Sequence, residues 1–424
     1  MLRPSNLFRV VQNCIYPFNR KFAGFAEAME KAIDEHIAKV REKKTERDKI
    51  RKERYNGKFK RREWVEESEE AKKARLEQNP IDPEDRIKRK KSVVLLGYSG
   101  VNYFGMQRNP DVPTIEEELL KAMLKHKWIT EEWFKLPQQA QFQRCARTDK
   151  GVSATRQIVS LKLPESVDID AINKDLPEDI KIFSVKKVTK GFNSKSTCDA
   201  RTYSYTLPTY AFTEDGEEFD ESSFRLSSER FEKLNKILSL YLGTKNFHNF
   251  TIRKQPIDPS AFRCIMSFEC QTPFTPDNSE VEFARLKITG QSFMMHQIRR
   301  MVGLVIGIMR GYVGTDIVER AFKKEKLLVP QAPGLGLVLD TVHYTRYDDR
   351  YGSDGMHEAL TFEAENDQVE EFFRTKIMST IIETELRDNS MKIWIGKRLR
   401  DHSYDKYTEK EEKDSSENEG NESE

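Results

Sequence analysis

Asp149 is the residue on which a chemical reading of this 424-residue chain turns. The run Phe142-Gln143-Arg144-Cys145-Ala146-Arg147-Thr148-Asp149-Lys150-Gly151-Val152-Ser153-Ala154 sets its carboxylate between two cations, Arg147 and Lys150, just ahead of a glycine that can turn the chain sharply. Gln157 to Leu163 follows and alternates as a half-buried strand does. A loop carboxylate with fixed positive charge on both sides is favoured as an anion. Such a group can act as a nucleophile or as a base. The same residues also fit a hairpin turn closed by a local ion pair, and taken alone they leave both readings open.

Other chemistries find few residues to carry them. The seven histidines are scattered, and so are the five cysteines, Cys14, Cys145, Cys198, Cys264 and Cys270. No HExxH or CxxC pair occurs, so no metal site is expected, and an odd, dispersed set of thiols fits a reducing compartment. Neither GxGxxG nor GxxxxGK[ST] is present. No stretch reaches the roughly 18 apolar residues that span a bilayer. The net charge is only +2, but the charges are segregated. Residues 27–90 form a charged, basic extension that ends in the nuclear-localisation-type cluster Lys88-Arg89-Lys90-Lys91, whereas residues 401–424 are acidic and Ser-rich and read as a disordered tail. Residues 1–26 lack any acid while Arg3, Arg9, Arg20 and Lys21 punctuate apolar positions, the pattern of a mitochondrial transit segment.

The elements that must hold the Asp149 loop begin near residue 91. Val93 to Tyr98 reads as a buried strand, followed by the Gly-rich turn Ser99 to Asn109. Thr114-Ile115-Glu116-Glu117 is a capping box, and Ile115, Leu119, Leu120 and Met123 give the next helix an apolar face. Arg201 to Leu207 alternates so that Tyr203 and Tyr205 share one strand face. After a charged link near residues 213–221, Arg230 to Leu242 reads as an amphipathic helix closed by Gly243, and Val281 to Gly290 as a strand. Phe293-Met294-Met295-His296-Gln297-Ile298-Arg299-Arg300-Met301-Val302-Gly303 opens a long helix, and Pro333 to Leu339 gives a final apolar strand. Val369 to Phe373 and Ile377 to Ile382 suggest packed helices within a C-terminal extension, residues 348–400.

Several of these runs resemble one family in the same order. Arg-Thr-Asp-x-Gly-Val at 147–152 is similar to the signature of the TruA family of tRNA pseudouridine synthases, and Phe142 to Ala154 as a whole to its eukaryotic branch. Tyr98 to Gln107 resembles the family's YxGxxYxGxQ turn, Cys198 to Tyr203 its basic-x-Tyr element, and Phe293 to Gly303 its last motif, in which Arg299 aligns with an arginine near the catalytic Asp. The resemblance spans roughly residues 91–347, and Ile381 to Glu385 resembles the eukaryotic C-terminal extension. It implies an α/β (α+β) pseudouridine synthase fold. Two related halves, residues 91–214 and 215–347, would form one largely antiparallel sheet with flanking helices and a central RNA-binding cleft.

The implied activity is isomerisation of uridine to pseudouridine in and near the anticodon stem of tRNA, and in other RNAs including mRNA or small nuclear RNA. The protein would be a monomer in mitochondrion and nucleus. By the resemblance, Asp149 is the nucleophile, toward C6 of the ring or C1′ of the sugar. Arg147 would fill the space of the flipped base or pair with Asp149, Tyr203 would stack on the uracil with its phenol a candidate for removing the C5 proton, and Arg299 would hold Asp149 ionised and oriented. Arg108, Lys150, Phe247 and His248 would contact RNA. The isomerisation changes no redox state and adds no atom, so neither cofactor nor metal is expected. The competing reading is a non-catalytic RNA-binding protein on the same fold. The presence of all four presumptive catalytic side chains favours the enzyme.

Overall fold

The computed structural model describes residues 87–277 and 279–404, all within one unit, Asp82–Glu424. The expected transit segment, nearly all of the basic extension and most of the acidic tail lie outside the described residues.

Nine strands make one sheet: β1 (Arg89–Tyr98), β2 (Gln143–Arg144), β3 (Ser153–Pro164), β4 (Ile180–Lys187), β5 (Ala200–Pro208), β6 (Gly243–Asn246), β7 (Phe262–Cys270), β8 (Phe283–Gly290) and β9 (Leu337–His343). Their order is β4-β1-β3-β9-β5-β8-β7-β6, with β2 added against β3. Every pairing between these strands is antiparallel except β3 with β9, which run parallel in the register Ser153↔Val338 and Ala154↔Leu339. That pair joins two antiparallel blocks, and it brings the segments leading into β3 and β9 to the same end of the sheet. The sheet is continuous across the expected break at residue 215. β5 precedes that break, yet it hydrogen-bonds to β8 and β9, which follow it.

 Central position decides burial. β3 alternates in sequence, but it lies between β1 and β9, and nine of its twelve residues are buried, with Arg156, Lys162 and Pro164 half-buried. The half-buried strand expected from the alternation is therefore covered on both faces, because neighbours and loops close over it. β1 is similar: Val93 to Leu96 are wholly buried, each worth about 1.5–3 kcal/mol of burial. The basic cluster expected to be an address is partly folded into this strand. Lys91 donates to the Gln141 carbonyl at 2.7 Å, Lys90 pairs with Glu165 at 2.7 Å, and burial holds the Lys91 ammonium down to about 8.

The four longest α-helices among the described residues are α1 (Ile115–Lys125), α2 (Ser228–Ser239), α3 (Gln297–Met309) and α4 (Ser379–Asp388). The Thr114 hydroxyl caps α1 by accepting from the Glu117 amide, and Glu116 to Glu118 suit the positive end of its dipole. α2 stops at Ser239, three residues short of the expected end, and Gly243 opens β6 instead. All thirteen residues of α3 are buried, including Arg299 and Arg300. Such a helix can hold two arginines only if their heads find acceptors. Helix Asn366–Phe372 runs through a π-helical stretch, Phe373–Met378, into α4. Phe372 meets Phe183 of β4 edge-on at 5.7 Å, which packs the C-terminal extension on the sheet.

Candidate active site

The loop that carries Asp149 is pinned on every side. Before it, the Gln157 side chain accepts from the Ala146 amide and donates to the Ala146 carbonyl, while Arg201 donates to the Cys145 carbonyl at 3.0 Å. The Tyr98 and Thr148 hydroxyls share a hydrogen bond of 2.8 Å. The Gly-rich turn then closes over it, with the Met106 amide donating to the Thr148 carbonyl and the Gly151 amide to the Tyr103 carbonyl. The turn itself is closed by the Val152 amide on the Asp149 carbonyl, with Gly151 at φ +74°, a conformation that a side chain would strain. The family-like turn at 98–107 is thus a backbone cradle for Thr148 and its neighbours.

The facing wall comes from α3 and the segment before β9. Arg299 Nε donates to the Ala332 carbonyl at 2.8 Å, and Arg300 Nη1 to the Val329 carbonyl at 2.9 Å. Gly303 allows the close approach: a Cβ there would meet the Pro330 carbonyl oxygen at 2.2 Å. Gln331 is held between these contacts. A guanidinium has donors only, so the amide oxygen must face Arg299. In that orientation it accepts from Nη1 at 3.1 Å and Nη2 at 3.2 Å, and the amide nitrogen donates to His296 Nδ1 at 2.9 Å. His296 precedes α3 at φ 58°, and its Nε2 stands 3.6 Å from Asp149 Oδ2. Arg299 was expected to hold Asp149. Among the described residues its hydrogen bonds go to the Ala332 carbonyl and to Gln331, and His296 stands between Gln331 and Asp149.

Asp149, Lys150, His296, Arg299 and Gln331 line one cavity of about 1130 Å³, whose far side is closed by the C-terminal extension, including Trp394 and Lys397. Asp149 is about a third exposed, at 36%. Arg147 is exposed, with no hydrogen bond or ion pair to another described residue, and Lys150 sits over the Phe104 ring at 4.2 Å. Tyr203 lies on β5 beside the seam, edge-on to Phe293 at 5.3 Å. Burial pushes its phenol well above the ordinary tyrosine range, and the Asp149 charge adds to that push.

Comparison with known proteins identifies this arrangement. Residues 237–345 match the family model described as tRNA pseudouridine synthase. The chain is 46% identical over 337 residues to the mouse (Mus musculus) pseudouridylate synthase 1 homolog, covering 78% of this chain and 79% of that one. It is 48% identical over 308 residues to the human (Homo sapiens) homolog, 72% of each chain. It is 31% identical to tRNA pseudouridine synthase 1 of Saccharomyces cerevisiae, over 69% of this chain and 68% of the yeast protein. The chain belongs to the TruA family of tRNA pseudouridine synthases. It is an isomerase that converts uridine to pseudouridine in RNA.

Within this synthase, three residues expected at the RNA surface lie elsewhere. Phe247 is wholly buried, edge-on to Phe250 and Phe322, so it has no face to offer a base. His248 is 2% exposed, its ring nitrogens facing the Asn246 side chain and the Glu325 carbonyl. Burial lowers its affinity for a proton. Arg108 pairs with Glu117, donates to the Phe134 carbonyl and lies over the Phe134 ring at 4.3 Å, so its charge is already engaged. His296, Gln331 and Phe293 were the residues that motif reading passed over. The signal for them was position: each flanks or precedes the buried, arginine-bearing α3 or the final strand.

Proposed function

We propose that this synthase acts on uridines in and near the anticodon stem of tRNA, and on mRNA or small nuclear RNA as further substrates, with Asp149 as the nucleophile. The observation that carries the reading is Asp149 on the wall of a large cleft, partly exposed, with Arg147 two residues before it exposed and unpaired among the described residues. The name of the yeast relative and the description of the family model support tRNA as substrate. The target base must leave its stack, at a cost of a few kcal/mol. Arg147 is free to enter the space it vacates, and Lys150 to meet the phosphate backbone. Asp149 attacks C6 or C1′. In the net reaction the N1–C1′ bond breaks, C5 bonds to C1′, the C5 proton leaves and N1 gains one. Tyr203 supplies a flat surface for the uracil. Its phenol is a candidate for taking part in removal of the C5 proton, and burial raises the cost of ionising it.

Release of label from tRNA carrying C5-tritiated uridine, with the modified positions mapped, tests this. Wild-type protein should release tritium and place pseudouridine in the anticodon stem. Asp149→Asn should lose at least about a thousandfold, as expected when a covalent nucleophile is removed, while binding the same RNA. Turnover by Asp149→Asn would remove Asp149 from the role, and modification confined to other RNAs would remove the proposed substrate.

Residence in both mitochondrion and nucleus belongs to the same proposal, supported by the acid-free residues 1–26. Lys90 and Lys91 of the cluster at 88–91 are tied to Glu165 and the Gln141 carbonyl, so the cluster adds little to the nuclear half. Imaging of a C-terminally tagged protein and N-terminal sequencing of the organellar form test it.

A further inference from the structure

We propose that His296 is a positioning residue for Asp149, fixed in a single tautomer by Gln331 and Arg299. The inference rests on the assignment of Asp149 as nucleophile and goes beyond it.

The chain of contacts has one consistent proton arrangement. Arg299 offers only N–H groups, so the Gln331 oxygen faces it and the Gln331 amide nitrogen faces His296 Nδ1 at 2.9 Å. An N–H directed at Nδ1 requires that atom to accept. The imidazole is then neutral with its proton on Nε2, the atom 3.6 Å from Asp149 Oδ2. That distance is longer than a hydrogen bond, and catalytic contacts of this kind tighten when substrate closes the site. With Nε2–H donated to Oδ2, the other carboxylate oxygen, Oδ1, is left to attack.

Each link is anchored in backbone that has little room to move. Arg299 is tied to the Ala332 carbonyl, and the Ala332 amide to the Arg299 carbonyl at 3.1 Å, so Gln331 is clamped to α3. His296 takes φ 58°, an uncommon conformation for a residue other than glycine, held here at the start of a wholly buried helix. Arg299 therefore acts on Asp149 at second hand, by setting the hydrogen-bonding direction of Gln331.

Two substitutions separate positioning from packing. Asn accepts positive φ readily, so His296→Asn keeps the backbone and can still meet Gln331, but its side chain is too short for Asp149. His296→Gln keeps an N–H at the reach of Nε2. His296→Asn is expected to lose about 10- to 100-fold in kcat with KM and thermal midpoint nearly unchanged, and His296→Gln to recover most of it. On the wild-type protein, ¹⁵N-histidine NMR should show His296 protonated at Nε2 and not at Nδ1. Equal rates for His296→Asn and wild type, a loss seen only in KM, no recovery in His296→Gln, or an Nδ1–H tautomer would each overturn the proposal. An inactive Asp149→Asn beside a fully active His296→Asn defeats this inference alone, whereas an active Asp149→Asn defeats the nucleophile assignment beneath it.

Discussion

Two five-residue runs each carry a phenylalanine and a histidine and end in opposite places. Asn246-Phe247-His248-Asn249-Phe250 follows β6, the last strand of the sheet, and is packed under residues 321–327, with the Asn249 side chain donating to the Ala321 and Glu325 carbonyls. Phe293-Met294-Met295-His296-Gln297 follows β8 and folds back over β5, where Phe293 meets Tyr203 and His296 faces Asp149. One run is a plug at the sheet's margin. The other is a wall of the cleft. An aromatic close in sequence to a histidine carries no information about exposure. What separates the two is distance from the parallel β3–β9 seam, where the segments leading into both strands converge.

The largest expected effect lies in the packed run. Phe247→Ala should cost about 3–5 kcal/mol of stability, read as a lowered denaturation midpoint, while turnover per folded molecule stays close to wild type. A stable Phe247→Ala with weakened RNA binding would return Phe247 to the RNA surface and dissolve the contrast.

The next test compares cations. Arg147→Gln should reduce the slope of log affinity for tRNA against log salt by about one. Arg108→Gln should leave the slope unchanged and act on stability, because its guanidinium serves Glu117 and Phe134. Equal slope changes in the two variants would place Arg108 on the RNA path after all.

The smallest effect concerns the packed histidine. Burial depresses the proton affinity of His248 in the folded state. The unfolded chain therefore takes up that proton first as pH falls, so the contribution of His248 to stability is present above its unfolded pKa, about 6.5, and is lost as pH falls from there through the depressed folded value. His248→Asn should flatten denaturation midpoints measured across this range. An unchanged profile would mean that His248 is protonated as readily in the fold as out of it.

Much of the site was legible because it is local. The Arg147-Thr148-Asp149-Lys150-Gly151 loop reads directly, since a turn that needs positive φ selects glycine and flanking cations are adjacent in sequence. The capping box at Thr114 and the strands at Val93 and Arg201 likewise depend on neighbours within a few residues. The ends of α2 and the two-sided burial of β3 were not legible, because β6 and the covering loops arrive from elsewhere in the chain.

The sequence by itself determined the reacting carboxylate's candidate, its turn and the order of the motifs, since each rests on spacing along the backbone. Only the tertiary structure decided that His296 and Gln331 stand between Asp149 and Arg299, that Arg108 is engaged by Glu117, and that Phe247 and His248 are buried. The first of these outcomes depends on the parallel pairing of β3 with β9, which joins residues almost two hundred positions apart, a register of Ser153↔Val338 that no local pattern encodes. The burial of Phe247 and His248 depends instead on contacts with residues 321–327.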